Sequence, residues 1–169
     1  MDYEIVAIDE VSFQLQTNYK RIWFEKGKKP KGAFFWSNKK LIVFGAQQEN
    51  QKLYYEFHIA QNSMTFMSFL SGLFETFNSN KKYLLILDNA AWHKTAIVQK
   101  YIAQKANVKV EFIPPYSPEL NPIETNWKVT RGRVTKSQFF RTIDDMEEAL
   151  EQFWSDHIFT QKFTTYLCR

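Results

Sequence analysis

Leu84-Leu85-Ile86-Leu87-Asp88-Asn89 is the stretch whose reading decides the fold. Tyr83 to Leu87 is wholly apolar, and so short an apolar run reads as a strand buried on both faces of a sheet. It ends on a carboxylate. The same arrangement opens the chain, where Ile5-Val6-Ala7-Ile8 leads into Asp9-Glu10. An ionised carboxylate within or at the end of a central strand is costly unless it is paired or bound to metal. Open α/β sheets place their sites at the ends of such strands.

Working outward, Glu4 to Leu15 reads as a strand, followed by an irregular basic and aromatic connection from Tyr19 to Lys31. Leu41 to Gln47 and Leu53 to Ile59 are two further strands, joined by the polar turn Gln48-Glu49-Asn50-Gln51. Asn62 or Ser63 caps a helix that runs to about Phe77, with Met64, Met67, Leu70, Phe74 and Phe77 as its apolar stripe. A second helix spans about Thr95 to Lys105. Val108 to Ile113 is a fifth strand, stopped by Pro114-Pro115. A third helix starts at Pro122, where the missing N–H costs nothing. A fourth opens at Thr142 with Asp145 as capping-box partner, and Ile143, Met146, Leu150 and Phe153 make its apolar face. The class expected is α/β: a mixed five-stranded sheet flanked by helices, in one domain over residues 1–169.

The composition fits that size. The chain has 169 residues, of which 44% are hydrophobic and 17% aromatic, enough for one well-buried core. A net charge of +4 leans mildly towards polyanions such as nucleic acid. A lone Cys168 forms no internal disulfide, and the acidic start Met1-Asp2-Tyr3-Glu4 is not a signal peptide. No apolar run approaches the ~20 residues of a membrane helix. A cytoplasmic protein without a membrane partner is expected.

A third carboxylate joins Asp9 and Asp88. In Ser117-Pro118-Glu119-Leu120-Asn121-Pro122-Ile123-Glu124, a proline-rich loop delivers Glu124 into the first turn of a helix. Each acid has an ordinary alternative. Asp9 could cap a strand or pair with a lysine, Asp88-Asn89 suits an Asx turn, and Glu124 could pair with Lys128. Together, at two strand ends and a helix start, they read as one site for hard divalent cations. Mg2+ or Mn2+ takes such oxygen ligands, and a metal pair can hold both oxygens of a phosphoryl transfer. Glu10 points to the opposite strand face and is a poor ligand. His93 follows Asp88 closely and orients it or packs locally, while Trp92 is core or rim.

Basic residues cluster at Lys26, Lys28, Lys29 and Lys31, and again at Lys128, Arg131, Arg133 and Lys136. A solvated surface is the usual account of such runs. Lys128 and Arg131 nevertheless share a helical face with Glu124, which suits a phosphate backbone. Lys28, Lys29, Lys128, Arg131 and Arg133 are therefore the DNA-binding candidates. Trp23, Phe24, Phe34, Phe35 and Trp36 interleave with the first cluster.

These motifs resemble the catalytic domain of mariner-superfamily transposases, in their bacterial insertion-sequence branch. Asp9-Glu10-Val11-Ser12-Phe13, Trp23-Phe24-Glu25-Lys26-Gly27-Lys28-Lys29-Pro30, Asp88-Asn89-Ala90-Ala91-Trp92-His93 and Pro114 through Glu124 carry the likeness, with Trp127 following. It covers about Ile5 to Trp154. The resemblance implies a ribonuclease H-like fold, with Asp9, Asp88 and Glu124 as catalytic metal-binding triad for two Mg2+ ions. Asn89, His93 and Asn121 would support them. It further implies strand cleavage and strand transfer in cut-and-paste transposition, acting on transposon ends and target DNA as a homodimer. Only Met1 to Ile8 precede Asp9, so the family's N-terminal helix-turn-helix modules are not expected within residues 1–169. End recognition is then expected from a separate subunit or a frameshift fusion. The competing expectations are a structure-selective nuclease of the same fold without strand transfer, and an inactive DNA-binding remnant.

Overall fold

The computed structural model describes residues 3–16, 25–27, 36–136 and 138–167. Lys28, Lys29, Lys31, Trp23, Phe24, Phe34, Phe35 and Cys168 lie outside the described residues. The strands are β1 (Tyr3–Gln14), β2 (Lys40–Gln48), β3 (Tyr54–His58), β4 (Lys82–Leu87) and β5 (Val108–Phe112). The helices are α1 (Ser63–Glu75), α2 (Ala96–Ala103), α3 (Ile123–Thr130), α4 (Ile143–Asp156) and α5 (Thr164–Leu167). The sheet order is β3-β2-β1-β4-β5, antiparallel across β3, β2 and β1 and parallel across β1, β4 and β5. The expected mixed five-stranded sheet is present, and β1 is its centre.

Strand alternation sorts the chain into two cores. Val6 and Ile8 of β1 face one side with Phe44, Leu85, Leu87 and the helices α1 and α2. Ala7, Val11 and Phe13 face the other, under Ile123 and Trp127 of α3 and Met146, Leu150 and Trp154 of α4. Asp9 shares the parity of Ala7 and Val11, so it faces α3. Glu10 faces the α1 and α2 side. The β1–β4 ladder ends at Ala7 opposite Ile86, and the same register carried on brings Asp9 level with Asp88.

The capping expectations hold. Asn62 accepts from the Met64 and Thr65 backbone, and Thr142 forms a reciprocal capping box with Asp145. The stripe of α1 needs correction. Its buried residues are Phe66, Phe69, Leu70 and Leu73, whereas Met64 is 68% exposed. Met67, Phe74 and Phe77 pack at the margin. Phe66 and Phe69 both meet Phe44 of β2 and set the helix rotation. On α4, Trp154 takes the deep position, and Ile143 and Phe153 sit at the edge.

The buried face of α3 is partly polar: Ile123, Asn126, Trp127 and Thr130. Polar groups out of water need partners. Asn126 Nδ2 donates to Gln47 Oε1 of β2 at 2.9 Å, and Gln161 Nε2 donates to Asn126 Oδ1. Trp154 Nε1 donates to Thr130 Oγ1 at 3.0 Å. The segment after α4 straps the same helix, with Phe159 and Phe163 buried and the Tyr166 hydroxyl 2.9 Å from Thr125 Oγ1. Among the described residues no helix is long and apolar enough to cross a membrane. Replacing Asn126 with alanine orphans Gln47 Oε1 and is expected to cost about 2 kcal/mol, read as a lower urea midpoint at unchanged slope.

Candidate active site

Asp9 lies inside β1, seventh along a strand that continues to Gln14, and is 9% exposed. Two features make room for its carboxylate. Trp127 Nε1 donates to Asp9 Oδ2 at 2.9 Å. Gly45 stands opposite Asp9 on β2, and the Trp127 indole lies against that glycine. A Cβ built on Gly45 would fall 2.8 Å from Trp127 Cζ2 and closer still to Cη2. The missing side chain is what admits the ring.

Asp88 follows β4 directly. Its Oδ1 accepts from the Ala90 N–H at 2.9 Å, so the Asx turn does form, and the same oxygen is 2.9 Å from His93 Nδ1. His93 has no exposed surface. Its Nε2 is 2.8 Å from Glu10 Oε1, whose side chain is also buried, and Trp92 Nε1 donates weakly to that oxygen at 3.4 Å. Glu10 thus takes the far strand face as expected and holds the histidine there.

Glu124 sits in the first turn of α3, and its N–H donates to the Asn121 carbonyl at 3.2 Å. Asn121 Nδ2 donates to the Ile8 carbonyl at 3.1 Å, and its Oδ1 accepts from the Ile123 N–H. The start of α3 is therefore pinned to the backbone beside Asp9. Asn89 Nδ2 donates to the Ile113 carbonyl and its Oδ1 accepts from Lys94 Nζ, tying the ends of β4 and β5 together.

Asp9, Asp88 and Glu124 line one cleft of about 440 Å³, with Asn89 and Asn121 and a wall from Ile113 to Pro118. Burial, then the charges of Glu124 and Glu10, push the Asp9 carboxyl well above its usual range, against the Trp127 hydrogen bond. Burial raises Glu124 as well; Arg131 opposes that, and the charge of Asp88 adds to it. Asp88 is lowered, first by its hydrogen bond to His93. Burial would lower His93, but Asp88 and Glu10 outweigh it and push its pKa up to about 9.

The donor set is hard carboxylate oxygen, the kind that Mg2+ and Mn2+ prefer. Among the described residues no three His, Cys, Asp or Glu side chains gather around a single ion. No cation among the described residues pairs with Asp9, and its neighbours are acids. A divalent cation would relieve that burden, so the donor chemistry suits one although the three side chains do not converge into a ready-made cluster.

A second groove of about 750 Å³ shares Glu124 and carries Lys128, Arg131 and Lys136, with Ser12, Gln14 and Gln16 opposite. Arg133 does not join it. Residues Arg131–Thr135 wind as a π-helix, and Arg133 turns to another hollow beside Phe153 and Asp156. The wider turn keeps Arg131 and Lys136 on the groove side.

With this geometry in place, the sequence matches the DDE superfamily endonucleases over residues 4–147. The chain belongs to that family. It is 26% identical over 137 residues to the insertion element IS630 uncharacterized 39 kDa protein of Shigella sonnei, covering 80% of this chain and 40% of that one. Its fold matches the Mos1 strand transfer complex at TM-score 0.75 and 18% identity, covering 99% of this chain and 50% of that one. It also matches the Mos1 mariner paired end complex with Mn at 0.73 and 19%, covering 99% and 52%. The architecture is thus the expected ribonuclease H-like α/β fold. The chain spans about half or less of the length of these relatives.

Two supports of the site escaped the sequence reading. One is Gly45, whose signal was an isolated glycine inside an apolar strand. The other is the Glu10–His93 contact, which joins residues far apart in sequence. Gly45→Ala in this DDE endonuclease domain is expected to displace Trp127 and cost about 1–3 kcal/mol, measured by chemical denaturation. In metal-free protein, the folded-state pKa of His93, about 9, exceeds its ordinary 6.5. Its contribution to stability is complete below pH 6.5 and lost as pH rises through about 9. The melting temperature is expected to fall across that window, and His93→Gln to flatten the fall.

Proposed function

We propose that this chain is the catalytic domain of a DNA transposase, cutting strands and joining them to target DNA with the help of divalent metal. The observation that carries the reading is the meeting of Asp9, Asp88 and Glu124, from β1, the end of β4 and the start of α3, in one cleft. The family match and the likeness to Mos1 transposase complexes support it.

In this reading Asp9, Asp88 and Glu124 would hold two Mg2+ ions, for which Mn2+ would substitute. Ions bound there would supply Lewis-acid help, activating a water or 3′-hydroxyl and stabilising the leaving oxygen. The chain's own residues do the positioning. Trp127 fixes one oxygen of Asp9, His93 fixes the orientation and charge of Asp88, and Asn121 aims the turn that bears Glu124. Lys128 and Arg131 neutralise phosphates along the neighbouring groove. Transposon ends and target DNA are the substrates, and two copies act together as a homodimer. Recognition of the ends comes from a helix-turn-helix unit outside residues 1–169, in a longer chain, a frameshift fusion or a separate subunit.

Asp88→Ala is expected to abolish strand cleavage while the fold and DNA affinity stay largely intact, with the melting temperature lowered by loss of the His93 contact; persistent cleavage would refute the assignment. Crystals soaked in Mn2+ should show anomalous density at Asp9 together with Asp88 or Glu124. A pre-cleaved transposon end should become covalently joined to target plasmid. Cleavage without joining would instead indicate a structure-selective nuclease.

A further inference from the structure

Tyr116 stands in the wall of the catalytic cleft with its side chain fully exposed, at 101%. Its backbone is left-handed, with φ 58. That region suits glycine or asparagine and is unusual for a bulky side chain. The loop around it is tied down at both ends. The Ile113 N–H donates to the Leu87 carbonyl at 2.9 Å at one end, and Asn121 bonds Ile8 at the other. Between them Pro114, Pro115 and Pro118 each fix a φ angle. The ring is thus held out into solvent by its frame. It makes no hydrogen bond or ring contact among the described residues and adds nothing to either core.

An aromatic ring presented this way, beside a centre for phosphodiester chemistry, has one natural ligand. We propose that Tyr116 is the stacking platform for an unpaired nucleobase next to the reacting phosphate. The inference rests on the proposed DNA-cleaving function. A phosphodiester at Asp9, Asp88 and Glu124, with its strand running along Lys128 and Arg131, carries its adjoining bases past the Ile113 to Pro118 wall. Every base has a π-face, so stacking there tolerates any sequence. A base beside a reacting terminus that has left the duplex stack is captured by a ring already held in place at little entropic cost.

The test uses duplexes with a single-stranded 3′ overhang bearing a fluorescent adenine analogue, against the same overhang with an abasic residue there. Both carry the same phosphate charge. Wild type and Tyr116→Phe are expected to quench the analogue and to bind the base-bearing overhang about tenfold more tightly than the abasic one. Tyr116→Gly keeps the left-handed backbone and removes only the ring. It should lose both the quench and the tenfold margin, with abasic binding unchanged. A quench and margin that survive in Tyr116→Gly would overturn the inference. Wild type binding both DNAs equally would do the same, while leaving the cleavage function standing. Failure to bind either DNA would overturn the inference too, whereas the cleavage reading falls only if Asp88→Ala still cuts.

Discussion

The hydrogen bond from the Trp127 indole to Asp9 joins the central strand to the helix that carries Glu124. A carboxylate this deep in a sheet needs a donor, and a donor on α3 can reach it only if that helix sits close against β1 and β2. Gly45 allows the approach. Once Trp127 is seated over that glycine, α3 has one rotation, and its first turn faces the cleft. The position of Glu124 is therefore a consequence of how Asp9 is satisfied.

The three acids are supported unequally. Asp88 has a buried histidine at its side, whose charged form Asp88 and Glu10 both favour, and that contact lowers the Asp88 carboxyl. Asp9 and Glu124 have no comparable partner, and each is pushed up by burial and by a neighbouring acid. The site is thus preorganised at the end of β4 and electrostatically incomplete across β1 and α3, where a divalent cation has the most repulsion to relieve.

Much of this was legible from local sequence. Apolar runs ending on Asp9 and Asp88 fixed the central strands, because burial on both faces leaves no other use for them. Asn62 and Thr142 announced their helices through partners three residues away. The rotation of α1 was not legible, since apolar residues crowd more than one face of Ser63–Glu75 and only Phe44 selects between them. The pairing of Gly45 with Trp127 and of Glu10 with His93 was likewise hidden. These contacts span long sequence separations, and no periodicity records them. Arg133 lines a different hollow from Lys128 and Arg131, because a run of basic residues in sequence does not say which side of the helix each one takes.

The polar face of α3 follows from the same demand for rotation. An all-apolar face would bury as well against the sheet, yet apolar contacts are non-directional and tolerate small slips. Asn126 on Gln47, Trp127 on Asp9 and Thr130 on Trp154 each accept only one geometry. Gln161 closes the network from the segment beyond α4. A carboxylate placed for a shared task across two elements needs positioning to within a fraction of an ångström. Directional bonds along α3 supply that placement, and the strap from Phe159 to Leu167 is a working part of the site although it never touches the cleft.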